Sequence, residues 1–333
     1  MTAVDRRTLR WRMLASLALL VLVTVGFVVG VWGAFYLVLV SFEADGAALI
    51  ASVASGVLLA SLVGLEFIQV STVERFAGAT PVDRDERPEL YRTTTRVASQ
   101  LDVPVPTIAI SDSPAPEALV VGFRRDGIHL VLSEGTIDAL DDAELEAVIA
   151  HELAHVRNRD ATVMTAVSAP VVLAAGLRTR LPDPNDAGMA AVVVLPLALV
   201  SNVAWIAGRT ITAVLARVRE HAADRAAAEV TGSPATLASA LETLDERIEA
   251  TPTRDLRSVE GVSALSILPL ERDPDSRAVR LGPDGETEPS HLWFDRLKWR
   301  LFVTHPPTAD RLESLRSLER GHHRGDEREP TAA

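Results

Sequence analysis

The 333-residue chain contains no cysteine, and that absence removes two kinds of architecture: a disulfide scaffold and any metal site built on thiolates. A bound metal would have to be held by His, Asp or Glu, and only eight histidines are available. Lysine is nearly missing as well. Lys298 is the sole example, so positive charge is carried almost wholly by arginine, a bias that high-salt adaptation and GC-rich coding both produce. Nor is there an excess of positive charge. Against 45 acidic residues stand 33 basic ones, a formal net charge of −12 that offers no broad phosphate-neutralising surface and argues against a nucleic-acid partner. What the chain has in quantity is apolar: 48% hydrophobic residues and a mean hydropathy of +0.19, more than a typical soluble enzyme carries. Part of it is expected to lie in lipid.

From Met13 to Val40 there is no charged side chain. A helix of about 28 residues rising 1.5 Å each exceeds the roughly 30 Å of bilayer hydrocarbon, and it is too long for a cleaved signal peptide, so it reads as a retained spanning anchor. A second run, Gly46 to Val70, is interrupted only by Glu66, which suits the headgroup level or a neighbouring helix. Two weaker runs follow, Ala161 to Leu177 and Gly188 to Ala207, separated by the polar loop Arg178 to Ala187 and carrying Pro170 and Pro196. They read as a second spanning hairpin, with a buried or re-entrant pair as the alternative. Arg6, Arg7, Arg10 and Arg12 precede or open the first run, whereas the loop Ser41 to Asp45 is acidic, which places the amino terminus in the cytoplasm. Two crossings return the chain to that side at Glu74 and Arg75, where it stays until Asp160; Arg178 and Arg180 oppose the assignment mildly.

Between the hairpins, Pro88 to Leu101 has helical spacing and is stopped by Pro104 and Pro106. Thr107 to Ser111, Ala118 to Phe123 and Ile128 to Leu132 are short β-rich runs, the last two joined through the turn signal Asp126-Gly127. Asp141 followed by Glu144 opens a capping-box helix with Leu145, Val148, Ile149, Leu153 and Val156 on its apolar side.

That helix contains His151-Glu152-Leu153-Ala154-His155, in which the four-residue spacing stacks two imidazoles on one face. Such a pair can grip one zinc ion, with Glu152 placed to touch the water on it. A catalytic zinc needs a third protein ligand. The metzincin continuation would require Gly and His at the third and sixth positions after His155, where this chain has Asn158 and Ala161. The other common solution is a carboxylate on a second helix, and Arg219-Glu220-His221-Ala222-Ala223-Asp224 supplies one. Glu220 is the candidate ligand, and Asp224, one turn on, the candidate hydrogen-bond acceptor for a ligand imidazole. His221 and Glu229 are rivals, although His221 lies about 100° around the helix from Glu220.

Taken together these features resemble the HtpX-type membrane zinc metalloproteases, in the gluzincin group that also includes the CAAX prenyl proteases. The likeness runs from about residue 10 to about 318. It rests on the amino-terminal hairpin, the three strands, HELAHVRNRD at His151 to Asp160, the second hairpin, REHAAD at Arg219 to Asp224 and THPPTADRL at Thr304 to Leu312. It implies His151, His155 and Glu220 as ligands of one Zn2+ per chain and Glu152 as the base. It also implies that His305 reaches the cleft to stabilise the oxyanion, with Arg311 nearby. In the strand that faces substrate the family usually carries an Asn-Ala-Phe-like run, where this chain has Glu117-Ala118-Leu119, and this puts a peptide-backbone contact at Glu117 in doubt. Ala118 to Phe123 is a candidate edge for an extended substrate.

The fold expected is mainly α within an α+β class: multi-span membrane helices with a zincin-like catalytic domain of a small sheet and the HExxH helix. Its expected parts are an amino-terminal hairpin (1–75), a first catalytic segment (76–160), a second hairpin (161–207), a second catalytic segment (208–320) and a disordered tail (321–333) holding His322 and His323. Glu271 to Ser290 reads as a loop, and Trp293, Phe294, Leu297 and Leu301 as an apolar helical stripe. The function implied is a multi-pass plasma-membrane endopeptidase with a cytoplasmic catalytic domain. It would act on protein or peptide substrates, above all misfolded or damaged membrane proteins. A narrow CAAX-type processing protease and a non-catalytic zinc-bearing scaffold are the alternatives.

Overall fold

A computed structural model describes residues 6–70, 79–121, 127–183, 186–250 and 307–326. Phe123, Asp126, the segment Glu271 to Ser290, the Trp293 to Leu301 stripe, His305 and residues 327–333 lie outside the described residues. In chain order the elements are α1 (Arg6–Ser41), α2 (Ala47–Val70), β1 (Thr80–Pro81), α3 (Pro88–Leu101), β2 (Thr107–Ser111), β3 (Ala118–Val121), β4 (His129–Ser133), α4 (Glu134–Ala139), α5 (Asp142–Arg157), α6 (Asp160–Arg180), α7 (Ala191–Thr231), α8 (Pro234–Ala250) and α9 (Thr308–Asp326). The chain divides into two compact units. One comprises Met1–Leu9, Phe76–Val163 and Ala216–Ala333, the other Arg10–Arg75 and Met164–Leu215.

The second unit is built of helices. Among the described residues four helical stretches are long and apolar enough to cross a membrane: Met13–Ser41, Ala47–Gly64, Thr162–Arg180 and Gly188–Thr231. Phe27, Val31 and Ala34 of α1 cluster with Leu62 of α2, Ala174 and Leu177 of α6, and Leu197 and Ala204 of α7. The outward faces are just as apolar, with Leu37 65% and Leu49 71% exposed, the pattern of helices solvated by lipid. Small residues let the helices approach closely. A side chain at Gly30 would meet Val200 at 2.8 Å, and one at Gly208 would meet Val171 at 2.7 Å. Pro170 and Pro196 sit inside α6 and α7 without ending them. The apolar segment expected to end at Ala207 does not end its helix, since α7 runs 41 residues to Thr231, where Gly232 at φ 73° closes it.

The first unit holds the sheet, in the order β1-β2-β4-β3. β3 and β4 pair antiparallel, Ala118 opposite Leu132, whereas β2 and β4 run parallel, Thr107 opposite His129. β1, two residues pairing antiparallel with β2, is too short to announce itself by alternation. One sheet face supplies Ile108, Ile110, Leu130 and Leu132 to a core completed by Val97 and Leu101 of α3, Val148, Ile149 and Leu153 of α5, Leu237, Leu241 and Leu244 of α8, and Leu315 of α9. The capping box of α5 forms as its sequence requires. Asp141 accepts from the Glu144 N–H at 2.8 Å, Glu144 accepts from the Asp141 N–H at 3.2 Å, and Ser239 of α8 donates to the same Glu144 carboxylate at 2.7 Å. At the carboxyl end the ordered chain goes further than expected: α9 continues past Gly321 to Asp326, so the tail reading fails for 321–326.

Candidate metal centre

α5 carries His151, Glu152 and His155 into the interior of the first unit, with His151 and Glu152 fully buried and His155 half-buried. The imidazole rings meet edge to face with centroids 4.8 Å apart, and their Nε2 atoms lie 3.2 Å from each other. From the last third of α7, Glu220 brings Oε2 to 3.5 Å from Nε2 of His151 and Oε1 to 3.7 Å from Nε2 of His155. These three residues form a group able to hold a metal ion, with one ligand atom from each and all within 4.8 Å of one another.

The spacing can be compared with what an ion demands. Two ligands at about 2.0–2.1 Å from zinc in a tetrahedron stand about 3.3 Å apart, close to the 3.2 Å between the two Nε2 atoms; Glu220 approaches His151 through Oε2 at 3.5 Å and His155 through its other oxygen, Oε1, at 3.7 Å. The charges agree with a divalent cation. Four buried carboxylates (Glu152, Asp160, Glu220 and Asp224) surround the site with two buried guanidiniums (Arg219 and Arg311), which among the described residues leaves −2 when both imidazoles are neutral. His151 registers this excess. Burial pushes its pKa down, but hydrogen bonds to Asp224 and Glu220 override burial and raise it to about 9.

Behind each imidazole stands a carboxylate. His151 Nδ1 lies 3.0 Å from Asp224 Oδ1, and Arg311 of α9 grips Asp224 with two prongs, Nε to Oδ2 at 3.0 Å and Nη2 to Oδ1 at 2.5 Å. His155 Nδ1 lies 2.6 Å from Asp160 Oδ2, while Arg219 Nε stands 2.8 Å from the other oxygen of Asp160. Burial alone would raise the Asp160 pKa, yet the hydrogen bond from His155 and the Arg219 charge hold it below the ordinary carboxylate range.

His151, His155, Glu220 and Asp224 are thus gathered in one place, and Glu152 is buried on α5 next to His151. His305 lies outside the described residues, as do the side chains of Glu66, His322 and His323. The rivals fall away from the centre: Glu229 pairs with Arg225 at 3.5 Å, and His221 is not part of the three-residue group. Asp160 and Arg219 were missed by sequence reasoning, and Arg311 was placed nearby without its Asp224 partner. The five-residue step from His155 to Asp160 crosses a helix end, so helical periodicity does not connect them.

Glu117, just ahead of β3, is buried. Ser113 donates a hydroxyl to its carboxylate at 3.3 Å, and burial pushes its carboxyl up to about 7. Its backbone is pinned by Ser133 and Thr136, whose hydroxyls bond its N–H and C=O at 2.8 Å each.

The model of peptidase family M48 matches residues 84–319, which include every residue of this centre. The chain is 35% identical over 327 residues to Protease HtpX homolog 1 of Streptomyces coelicolor, covering 93% of this chain and 92% of that one. It is 39% identical over 196 residues to Protease HtpX homolog 2 of Methanosarcina mazei, covering 58% and 67% respectively. A solved structure, that of S. mikatae Ste24p, is similar at a TM-score of 0.49 and 18% identity, over 78% of this chain and 58% of the other, so this chain spans less than two thirds of that protein. A family match over most of the chain, joined to four helices of membrane-crossing length and a buried His-His-Glu cluster, leads to one conclusion: the chain belongs to peptidase family M48 and is a multi-pass, membrane-associated metalloprotease.

Proposed function

We propose that the protein is a zinc-dependent endopeptidase in which His151, His155 and Glu220 hold one zinc ion and Glu152 is the general base. The observation carrying this reading is the buried group of His151, His155 and Glu220, which offers one ligand atom from each residue, all within 4.8 Å of one another, with one Glu220 oxygen turned toward each imidazole Nε2. Zinc held by these three residues would supply polarisation of a scissile carbonyl and a more acidic water. Glu152 is the residue that would accept the proton of the attacking water as the new C–O bond forms and return it to the amide nitrogen as the C–N bond breaks. Asp224 accepts from the Nδ1–H of His151 and so leaves the Nε2 lone pair for the metal. β3, at the edge of the sheet and packed on α5, is the strand to which an extended peptide adds by backbone hydrogen bonds. For His305 two roles stay open, stabilising the oxyanion, as the family resemblance suggests, and fixing the Thr-His-Pro-Pro turn.

The substrates in this reading are misfolded or damaged membrane proteins, reached from the cytoplasmic side of the plasma membrane. The support is the resemblance for the substrates and, for the side, the four arginines at the amino terminus against the acidic loop Ser41 to Asp45. The division of the chain into two hairpins and two catalytic segments belongs to the same proposal, with the second catalytic segment carried on to Asp326 by α9. Two variants of the detergent-purified protein test it. Glu152→Gln is expected to keep one zinc per chain and to lose roughly 10²–10⁴-fold in casein hydrolysis, while Glu220→Ala loses the zinc. Full activity in the Gln variant would remove Glu152 as base, and tight zinc in the Ala variant would remove Glu220 as ligand. A processing enzyme of narrow specificity would spare casein and cut only a lipidated or carboxyl-terminal motif.

A further inference from the structure

We infer that Asp160 and Arg219 form a positioning pair for the second histidine of the centre: Asp160 fixes the tautomer and orientation of His155, and Arg219 fixes Asp160. The inference rests on the metal reading above and extends it to two residues to which that reading gives no role.

The local chain path explains how the contact arises. α5 ends at Arg157, Asn158 closes it, and Arg159 adopts φ 55°, a left-handed conformation that a residue with a Cβ seldom takes. Asp160, the first residue of α6, follows that turn, and its carboxylate meets a histidine five positions earlier. Its carboxylate is buried. Oδ2 lies 2.6 Å from His155 Nδ1, and Oδ1 is in ion-pair contact with Arg219 Nε at 2.8 Å, close enough for charge to bind them although the Nε–H is not aligned on the oxygen.

Two consequences follow for the centre. A carboxylate at Nδ1 holds the proton there, so Nε2 presents its lone pair toward the point it shares with His151 and Glu220. Arg219 is the residue before Glu220 on α7, so the same carboxylate ties the helix bearing the histidines to the backbone position next to the third ligand. A buried, doubly engaged carboxylate is costly to assemble for packing alone, because ion pairs of this kind are no more stabilising than apolar residues of similar volume. The brace also differs from the one behind His151, where Arg311 reaches Asp224 from a third helix, α9.

The test is the zinc dissociation constant of the folded, full-length protein in detergent, measured by competition with a chromophoric chelator. Asp160→Asn is expected to weaken zinc binding about 10–100-fold. Arg219→Gln should weaken it less, and adding it to Asp160→Asn should cost nothing further, because Arg219 acts through Asp160. In a His155→Ala background, Asp160→Asn should leave the remaining affinity unchanged. A residue serving only the fold would lower the unfolding midpoint of the chelator-treated and zinc-loaded forms alike and leave the dissociation constant where it was. That result, or an undiminished effect of Asp160→Asn without His155, overturns the inference. If the unsubstituted protein binds no zinc, or if Glu220→Ala binds it as tightly, the metal reading itself has failed and the pair falls with it.

Discussion

In the unit that holds the metal centre the buried polar residues include Glu117, His151, Glu152, Asp160, Arg219, Glu220, Asp224 and Arg311; in the unit of long helices those among the described residues are three serines, Ser16, Ser55 and Ser201. Both units are folded from one chain with 48% hydrophobic residues, so composition does not separate them. Solvent does. Lipid gives a charge no refuge, so among the described residues the helical unit buries no ionisable side chain, turns leucines outward and brings its helices together at glycines and alanines. The other unit has a hydrophobic core large enough to carry an expensive ionic cluster, and it places the cluster where α5, α7 and α9 meet. Function is concentrated where burial and charge conflict most.

The sharpest way to break that contrast is Arg311→Met. It removes the two-pronged partner of Asp224 and leaves an unbalanced carboxylate in the interior, which should lower the stability of the metal-bearing unit by about 3–5 kcal/mol. Hydrogen exchange should show α5 and α9 losing protection while α1 and α2 retain theirs; equal losses in all four would mean that the two units do not respond separately.

Glu117 gives a pH handle on the same unit. With its carboxyl near 7 in the folded chain against 4.5 when unfolded, the folded state binds the extra proton between those values. Its contribution is therefore fully present below about pH 4.5 and fades as pH rises through 7, a total on the order of 3 kcal/mol. Glu117→Gln, which keeps an acceptor for Ser113, should unfold at higher temperature than the parent at pH 8 and not at pH 4.5. A gap independent of pH would contradict the assignment.

On the lipid side, Gly208→Leu forces a side chain into Val171 and should cost about 1–3 kcal/mol, read as a lowered unfolding midpoint with zinc affinity unchanged. The same loss at Gly56, where nothing lies within 4 Å of an added Cβ, would show that close helix approach is not the cause.

These contrasts also show what a sequence can disclose. The four apolar runs and the HExxH helix are local patterns: hydropathy over about 20 residues and a four-residue spacing are written in consecutive positions. Glu220 could be found because zinc chemistry requires a third ligand and α7 repeats the helical spacing at Asp224. The Asp224–Arg311 pair joins positions 87 apart in sequence, and the parallel pairing of β2 with β4 depends on β3 lying outside it; neither follows from any window of the chain. Asp160 was hidden for a different reason. Its contact depends on a left-handed residue at Arg159, a conformation that arginine does not advertise. The unbroken course of α7 past Ala207 was missed because the change from apolar to charged residues looked like a boundary, although a helix can change solvent without changing its backbone.

The two arginine-backed carboxylates have a consequence for where the centre can be disturbed. Because carboxylates anchored on α7 and α6 hold both imidazoles from behind, a change at Asp224 or Asp160 reaches the centre without touching any residue of the His151, His155 and Glu220 group.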